Sequence, residues 1–197
     1  MNSSKENLKN PQILIIGSGI IGKFNALELS KLGFQVSIID PCESKNSSNA
    51  ALGILMGKIY HKRSGRSWKL REKSIQLWPK WLKEFNDINP KLIFERPLIQ
   101  TTTDEHKFEK MKNFVFQHPN DNLKILENNS SLIDNIQSLF CTNKVKGIIS
   151  YDDGRIDPKL LLNTIDILLK NQNIHTIIDE IINIRKEKGK WISKLKG

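Results

Sequence analysis

At 197 residues the chain is long enough for one well-filled core, or for one domain with a second inserted in it, and it needs neither metals nor disulfides to hold together. Its formal charge of +10 admits a nucleic-acid partner, but lysine is scattered along the whole chain and reads as solvated surface, so no nucleic acid is expected. No apolar run approaches the roughly 20 residues of a membrane span, "MNSSKENLKNP" at the start is polar, and Cys42 and Cys141 show no metal-ligand spacing; a protein of the reducing cytoplasm is expected, with no metal site.

The first predicted elements are the most informative. Ile13 to Ile16 form an aliphatic strand, Gly17, Gly19 and Gly22 punctuate a turn, and Ala26, Leu27 and Leu29 recur at helical spacing until Gly33. Val36 to Ile39 form a second strand ending in Asp40, eighteen residues after Gly22. Strand, helix and strand fit one crossover unit of about thirty residues. Gly17 permits the sharp turn, Gly19 lets backbone approach a pyrophosphate, and Gly22 lets the helix pack tightly on the strand. The helix N-terminus, with Ile20 and Ile21 between the last two glycines, offers free N–H groups to an anion. Asp40 can accept hydrogen bonds from a ribose, and its charge disfavours a 2′-phosphate and hence NADP. A glycine-rich turn without a ligand is the competing reading. It leaves three glycines unexplained, each costing roughly 0.5–1 kcal/mol against alanine inside an element.

Beyond Asp40 the Ser/Asn-rich stretch reads as loop, and Ala50 to Met56, interrupted by Gly53, is a small apolar run that lets backbone lie flat against something large. Leu70, Leu77, Trp81 and Phe85 place a helix over residues 67–85, with Pro79 forcing a kink or restart, and Trp68, Trp78 and Trp81 are expected in the core. The basic segment from Lys58 to Lys73 reads as ordinary surface. Short strands follow around 92–94 and 98–102. Asp104 then caps a helix with Phe108, Met111 and Val115 on one face, and a short helix is expected after Ser130.

A strand over 147–151 leads to Asp152 and Asp153, read as a turn beside Gly154. Asp157 and Pro158 then start a helix whose Leu161, Ile165 and Leu168 face a core. The remainder reads as strands at 174–178 and 181–184, with a last one in "GKWISKLKG". His61, His106, His118 and His175 are each isolated. No catalytic residue stands out.

The opening fingerprint, the "SSNAALGIL" run and "DGRIDPKLLLNTI" together resemble the FAD-dependent oxidoreductases of the D-amino acid oxidase and glycine oxidase family, which oxidise the C–N bond of small amino acids or N-methyl amino acids. The resemblance implies an α/β fold: a Rossmann-like, glutathione-reductase-type FAD-binding parallel sheet with an inserted, incomplete α+β substrate domain. Residues 1–60 and 154–197 would belong to the FAD-binding domain and 61–153 to the substrate domain. FAD would meet Gly17, Gly19, Ile20, Ile21 and Gly22 at the pyrophosphate and Asp40 at the ribose. Ser48, Asn49 and Ala50, with Gly53 and the backbone to Leu55, would lie along the flavin, and Ile181 near adenine. The helix from Asp157 would lead back to a third parallel strand.

Members of the family are nearly twice as long, and their later half supplies most of the substrate-domain sheet and an arginine for the substrate carboxylate. A truncated form, completed by self-association or by a partner chain, is therefore expected, and the chain alone is not expected to turn over glycine, sarcosine or a D-amino acid. An NAD-dependent dehydrogenase and a non-catalytic dinucleotide-binding remnant are the alternatives.

Overall fold

The computed structural model describes residues 12–42, 46–127, 136–138 and 145–197. In chain order the elements are β1 (Gln12–Ile16), α1 (Ile20–Lys31), β2 (Gln35–Asp40), α2 (Ser47–Ala50), β3 (Ile54–Leu55), α3 (Gly65–Ile88), β4 (Phe94–Glu95), β5 (Leu98–Thr102) and α4 (Glu105–Gln117). They continue with β6 (Leu123–Leu126), β7 (Lys146–Ser150), β8 (Gly154–Ile156), α5 (Pro158–Asn171), β9 (Thr176–Ile178), β10 (Ile181–Glu187) and β11 (Lys190–Leu195). The polar N-terminus and Cys141 lie outside the described residues. So does most of the helix expected after Ser130, of which only 136–138 is described, as a helical turn.

Two compact units form, one from the described residues up to Ala51 with Pro158–Gly197, the other from Leu52–Asp157. In the first, β1, β2 and β9 make a parallel sheet in the order β1-β2-β9, with Ile13 beside Val36 and Ile38 beside Thr176. The central strand β2 buries Val36, Ile38 and Ile39, the near-continuous apolar run of a strand covered on both flanks. Helix α1 packs on β1, β2 and α5 through Ala26 and Leu27, and α5 answers with Leu161, Ile165 and Leu168. An ion pair crosses this seam. Lys23 is buried on α1, and its Nζ meets the Asp166 carboxylate of α5 at 2.6 Å. The hairpin β10–β11 closes the unit, turning at Lys188 and Gly189, both at positive φ.

The second unit holds two antiparallel three-stranded sheets, β3-β8-β4 and β5-β7-β6. Asp104 caps α4 by accepting the Lys107 N–H at 2.9 Å, and α4 buries Phe108, Met111 and Phe114. Met111 and Phe114 join Ile59, Leu123 and Ile148 in the core, while Val115 is only partly buried.

Several expectations are corrected here. Ser47–Ala50 is a helical turn rather than loop, because the Asn46 side chain accepts the Asn49 N–H at 2.9 Å. Helix α3 neither breaks nor restarts at Pro79 but runs through it for 24 residues; the Ile75 carbonyl forgoes one intrahelical donor. Its inward face is carried by Leu82 and Phe85, whereas Leu70 is 68% exposed and Trp68, Trp78 and Trp81 are half-buried. Leu92 is buried but precedes β4 rather than lying in a strand.

Asp153 is more than a turn residue. It is 2% exposed, and its carboxylate accepts the N–H groups of Gly57 (2.6 Å), Lys58 (3.0 Å) and Ile59 (2.6 Å). One side chain thus anchors the bend after β3 to the segment before β8. Asp153→Ala leaves three inward amides without an acceptor. The expected loss is about 3 kcal/mol or more of unfolding free energy by urea titration, and a loss under about 1 kcal/mol would contradict this role.

Candidate nucleotide-binding site

The site is built where β1 ends. Gly17 N–H bonds the Ile39 carbonyl at 2.8 Å, which extends the β1–β2 pairing into the turn, and Gly17 takes φ +99°, a conformation costly for any residue with a Cβ. Helix α1 then starts so close to the strand that a Cβ on Gly22 would fall 2.0 Å from the Gly17 carbonyl oxygen. Only glycine allows that approach.

The start of α1 exposes backbone donors by construction. The Ile20 N–H is taken by the Ser48 hydroxyl oxygen of α2 at 2.9 Å, and the Lys23 N–H by the Gly19 carbonyl at 3.0 Å. The amides of Gly19, Ile21 and Gly22 carry no acceptor among the described residues. Three amides at a helix N-terminus, with no acidic residue in the first turn, form a ready cradle for an anion.

Asp40 sits at the opposite lip. Its Oδ2 accepts the Ser18 N–H and its Oδ1 the Cys42 N–H, both at 2.6 Å. Each oxygen keeps a further lone pair for a hydroxyl donor. Partial burial works against the charge, but the Ser18 and Cys42 amides outweigh it and hold the carboxyl below its usual range. The neighbouring Cys42 thiol is pushed up by burial and by the Asp40 charge, which makes it a poor nucleophile.

Gly17, Gly19, Ile20, Ile21, Gly22, Asp40 and Ser48 therefore come together in one unit. Asn49 and Ala50 follow Ser48 on α2 and are exposed. Gly53 and Leu55 belong to the second unit, where Gly53 at φ +73° accepts the Ile156 N–H and Leu55 pairs with Gly154. Ile181 opens β10 opposite Leu195. Sequence patterning did not reveal Ser48 as a cap for α1, since the contact spans 28 positions, nor Lys23, a charge on an otherwise apolar face.

This geometry defines an α/β protein whose glycine turn and Asp40 suit a dinucleotide. A family model described as DAO, FAD dependent oxidoreductase, matches residues 12–196, and the chain belongs to that family, whose cofactor is FAD. Among solved structures, glycine oxidase from Geobacillus kaustophilus is similar at TM-score 0.77 and 17% identity, over 95% of this chain and 52% of that one. Iminodiacetate oxidase from Chelativorans sp. BNC1 is similar at 0.75 and 19% identity, over 93% and 50%. L-α-glycerophosphate oxidase from Mycoplasma pneumoniae, with FAD bound, is similar at 0.72 and 18% identity, over 94% and 49%. The chain thus spans about half the length of these structures. No curated protein matches it. Among the described residues no helix is long and apolar enough to cross a membrane.

Because the folded-state carboxyl of Asp40 is depressed, the stability it lends the turn is present above the unfolded value near 3.8 and is lost as pH falls through the folded value. In a pH titration followed by 1H–15N NMR, the Ser18 and Cys42 amides should shift together with a midpoint below 3.8. In Asp40→Asn that shared shift should vanish; its persistence would assign the titration to another group.

Proposed function

We propose that this chain binds FAD at the glycine turn and serves an oxidoreductase acting on the C–N bond of an amino acid or amine of the glycine, sarcosine or D-amino acid type. The observation that carries the reading is the pairing of three acceptor-free amides at the start of α1 with Asp40 at the end of β2. The first suits a pyrophosphate and the second a ribose diol, the two polar landmarks of the adenosine half of the cofactor. When bound, the flavin supplies a hydride acceptor for the carbon beside the substrate nitrogen.

The residues divide the work. Gly19, Ile21 and Gly22 hold the phosphates through backbone, Ser48 turns its hydroxyl toward the same turn, and Asp40 orients the ribose. Asn49, Ala50, Gly53 and Leu55 border the flavin end in this reading, and Ile181 presents backbone to adenine. Residues 1–60 and 154–197 act as the FAD-binding part and 61–153 as part of the substrate domain. The reading also takes in a cytoplasmic location and association with a second copy or partner chain, for which the exposed Leu14 and Ile16 of edge strand β1 offer a surface.

A flavin fluorescence titration tests cofactor and turn together. FAD should bind and NAD should not, and tight NAD binding without FAD binding would overturn the assignment. Gly19→Val, whose Cβ would start 3.0 Å from the Ser48 hydroxyl and extend into the cradle, should abolish FAD binding with the circular dichroism little changed. Asp40→Ala should weaken binding by about 1.5–3 kcal/mol, the usual worth of a hydrogen bond to a charged group. A much smaller loss would place the ribose elsewhere.

A further inference from the structure

The hairpin of β10 and β11 carries charge out of proportion to its length. Residues 181–197 hold six cations (Arg185, Lys186, Lys188, Lys190, Lys194 and Lys196) against one carboxylate, Glu187, a net +5 that is half of the +10 of the whole chain. Arg185 pairs with Glu187 at 2.8 Å, and Lys196 with Glu180 at 2.6 Å. Among the described residues Lys186, Lys188, Lys190 and Lys194 have no carboxylate partner.

Apolar surface is interleaved with this charge. Trp191 is 72% exposed, and Ile184 and Ile192 are exposed with it. Lys186 stands opposite Trp191 and Ile184 opposite Ser193, so Ile184 and Trp191 are diagonal neighbours on one face; Ile192, opposite Arg185, lies on the other. The Lys186 Nζ lies 5.8 Å from the Trp191 ring centroid, a cation held over the indole. The chain reverses at Lys188 and Gly189, which gathers Lys186, Lys188, Lys190 and Trp191 at the tip.

Among the described residues β10 and β11 pair only with each other. A two-stranded hairpin is marginal alone in water, and exposed apolar side chains rimmed by charge mark a contact surface. Their distribution selects the occupant. A protein partner or a nucleic-acid duplex meets one face of a hairpin, whereas apolar residues on both faces suit a medium that surrounds the tip. Single-stranded nucleic acid would satisfy the lysines and stack on Trp191, but it offers nothing to Ile184 and Ile192. The headgroup region of a bilayer meets every group: indole rings settle at that level, isoleucines reach the acyl boundary, and lysine stems extend along apolar surface to place their ammonium groups on phosphates.

We propose that the tip of the β10–β11 hairpin inserts end-on into the headgroup region of an anionic lipid bilayer. Trp191, Ile184 and Ile192 enter the interface, and Lys186, Lys188 and Lys190 meet lipid phosphates. This is surface contact rather than a span, and it goes beyond the FAD reading without depending on it.

Co-sedimentation of the full chain with mixed phosphatidylglycerol–phosphatidylcholine vesicles tests it. The chain should pellet with these vesicles, and pure phosphatidylcholine or about 0.5 M salt should weaken the contact about tenfold or more. Each cation near an anionic leaflet strengthens binding roughly fivefold, so Lys186→Gln, Lys188→Asn and Lys190→Gln combined should weaken it about a hundredfold. Asparagine suits the positive φ of Lys188. Removing equal charge from the exposed surface of α3, by Lys69→Gln, Lys73→Gln and Lys80→Gln combined, should change binding less than about threefold. Brominated acyl chains should quench tryptophan emission, and Trp191→Ala should lose that quenching and bind about tenfold more weakly with circular dichroism unchanged. Failure to pellet, equal loss in the two triple variants, or quenching that survives Trp191→Ala overturns the proposal. So does tip-dependent binding of an oligonucleotide without vesicle binding, which would assign the hairpin to nucleic acid, or self-association lost in Trp191→Ala without vesicle binding, which would assign it to a second copy.

Discussion

The first unit depends on one close approach, that of Gly22 to the Gly17 carbonyl. With no Cβ at Gly22, α1 starts directly against the Gly17 carbonyl at the end of β1. That placement sets the rest. Lys23, one residue further on, faces inward to Asp166 of α5, so the helix that returns the chain to β9 is tied to the helix that opens the site. An uncompensated lysine buried at 8% exposure would be costly, and the ion pair turns it into a registration device between the two helices.

Carboxylates do unequal work in the two units. Asp40 is held ionised by two backbone amides yet stays open to a further donor, which suits a group meant to receive a ligand. Asp153 spends its oxygens on three amides and is closed to solvent. Asp121 is intermediate. Burial works against its charge, but Lys58 and Arg63 overcome that and hold its carboxyl below the usual range, pinning the segment after β3 to the turn before β6. Around the cavity of the second unit, Arg71, Arg96 and Asp152 are, among the described residues, the charged groups without an ion-pair partner, although Arg71 also donates to the Met56 carbonyl and lies over Tyr60.

The high net charge of the chain contributes little to the anion cradle. The anion cradle is made of neutral backbone dipoles, and three cations of the basic run from Lys58 to Lys73 are engaged in local contacts. Arg63 stacks on Trp68 and Phe114, Arg71 on Tyr60, and Lys58 pairs with Asp121.

Local spacing alone determined the crossover unit, the turn at Gly17, the close approach at Gly22, the Asp104 cap and the buried face of α5, because each depends on contacts within one or two elements. Features that join distant residues were illegible. The Ser48 hydroxyl reaches Ile20 across 28 positions, Lys23 reaches Asp166 across 143, and Asp153 reaches Gly57 across 96. Periodicity also misplaced the tryptophans of α3, since a helical stripe says which residues share a face but not whether the face meets a core or an open cavity. That choice belongs to tertiary packing: the strands and segment set opposite α3 decide which of its apolar residues are covered and which line a hollow.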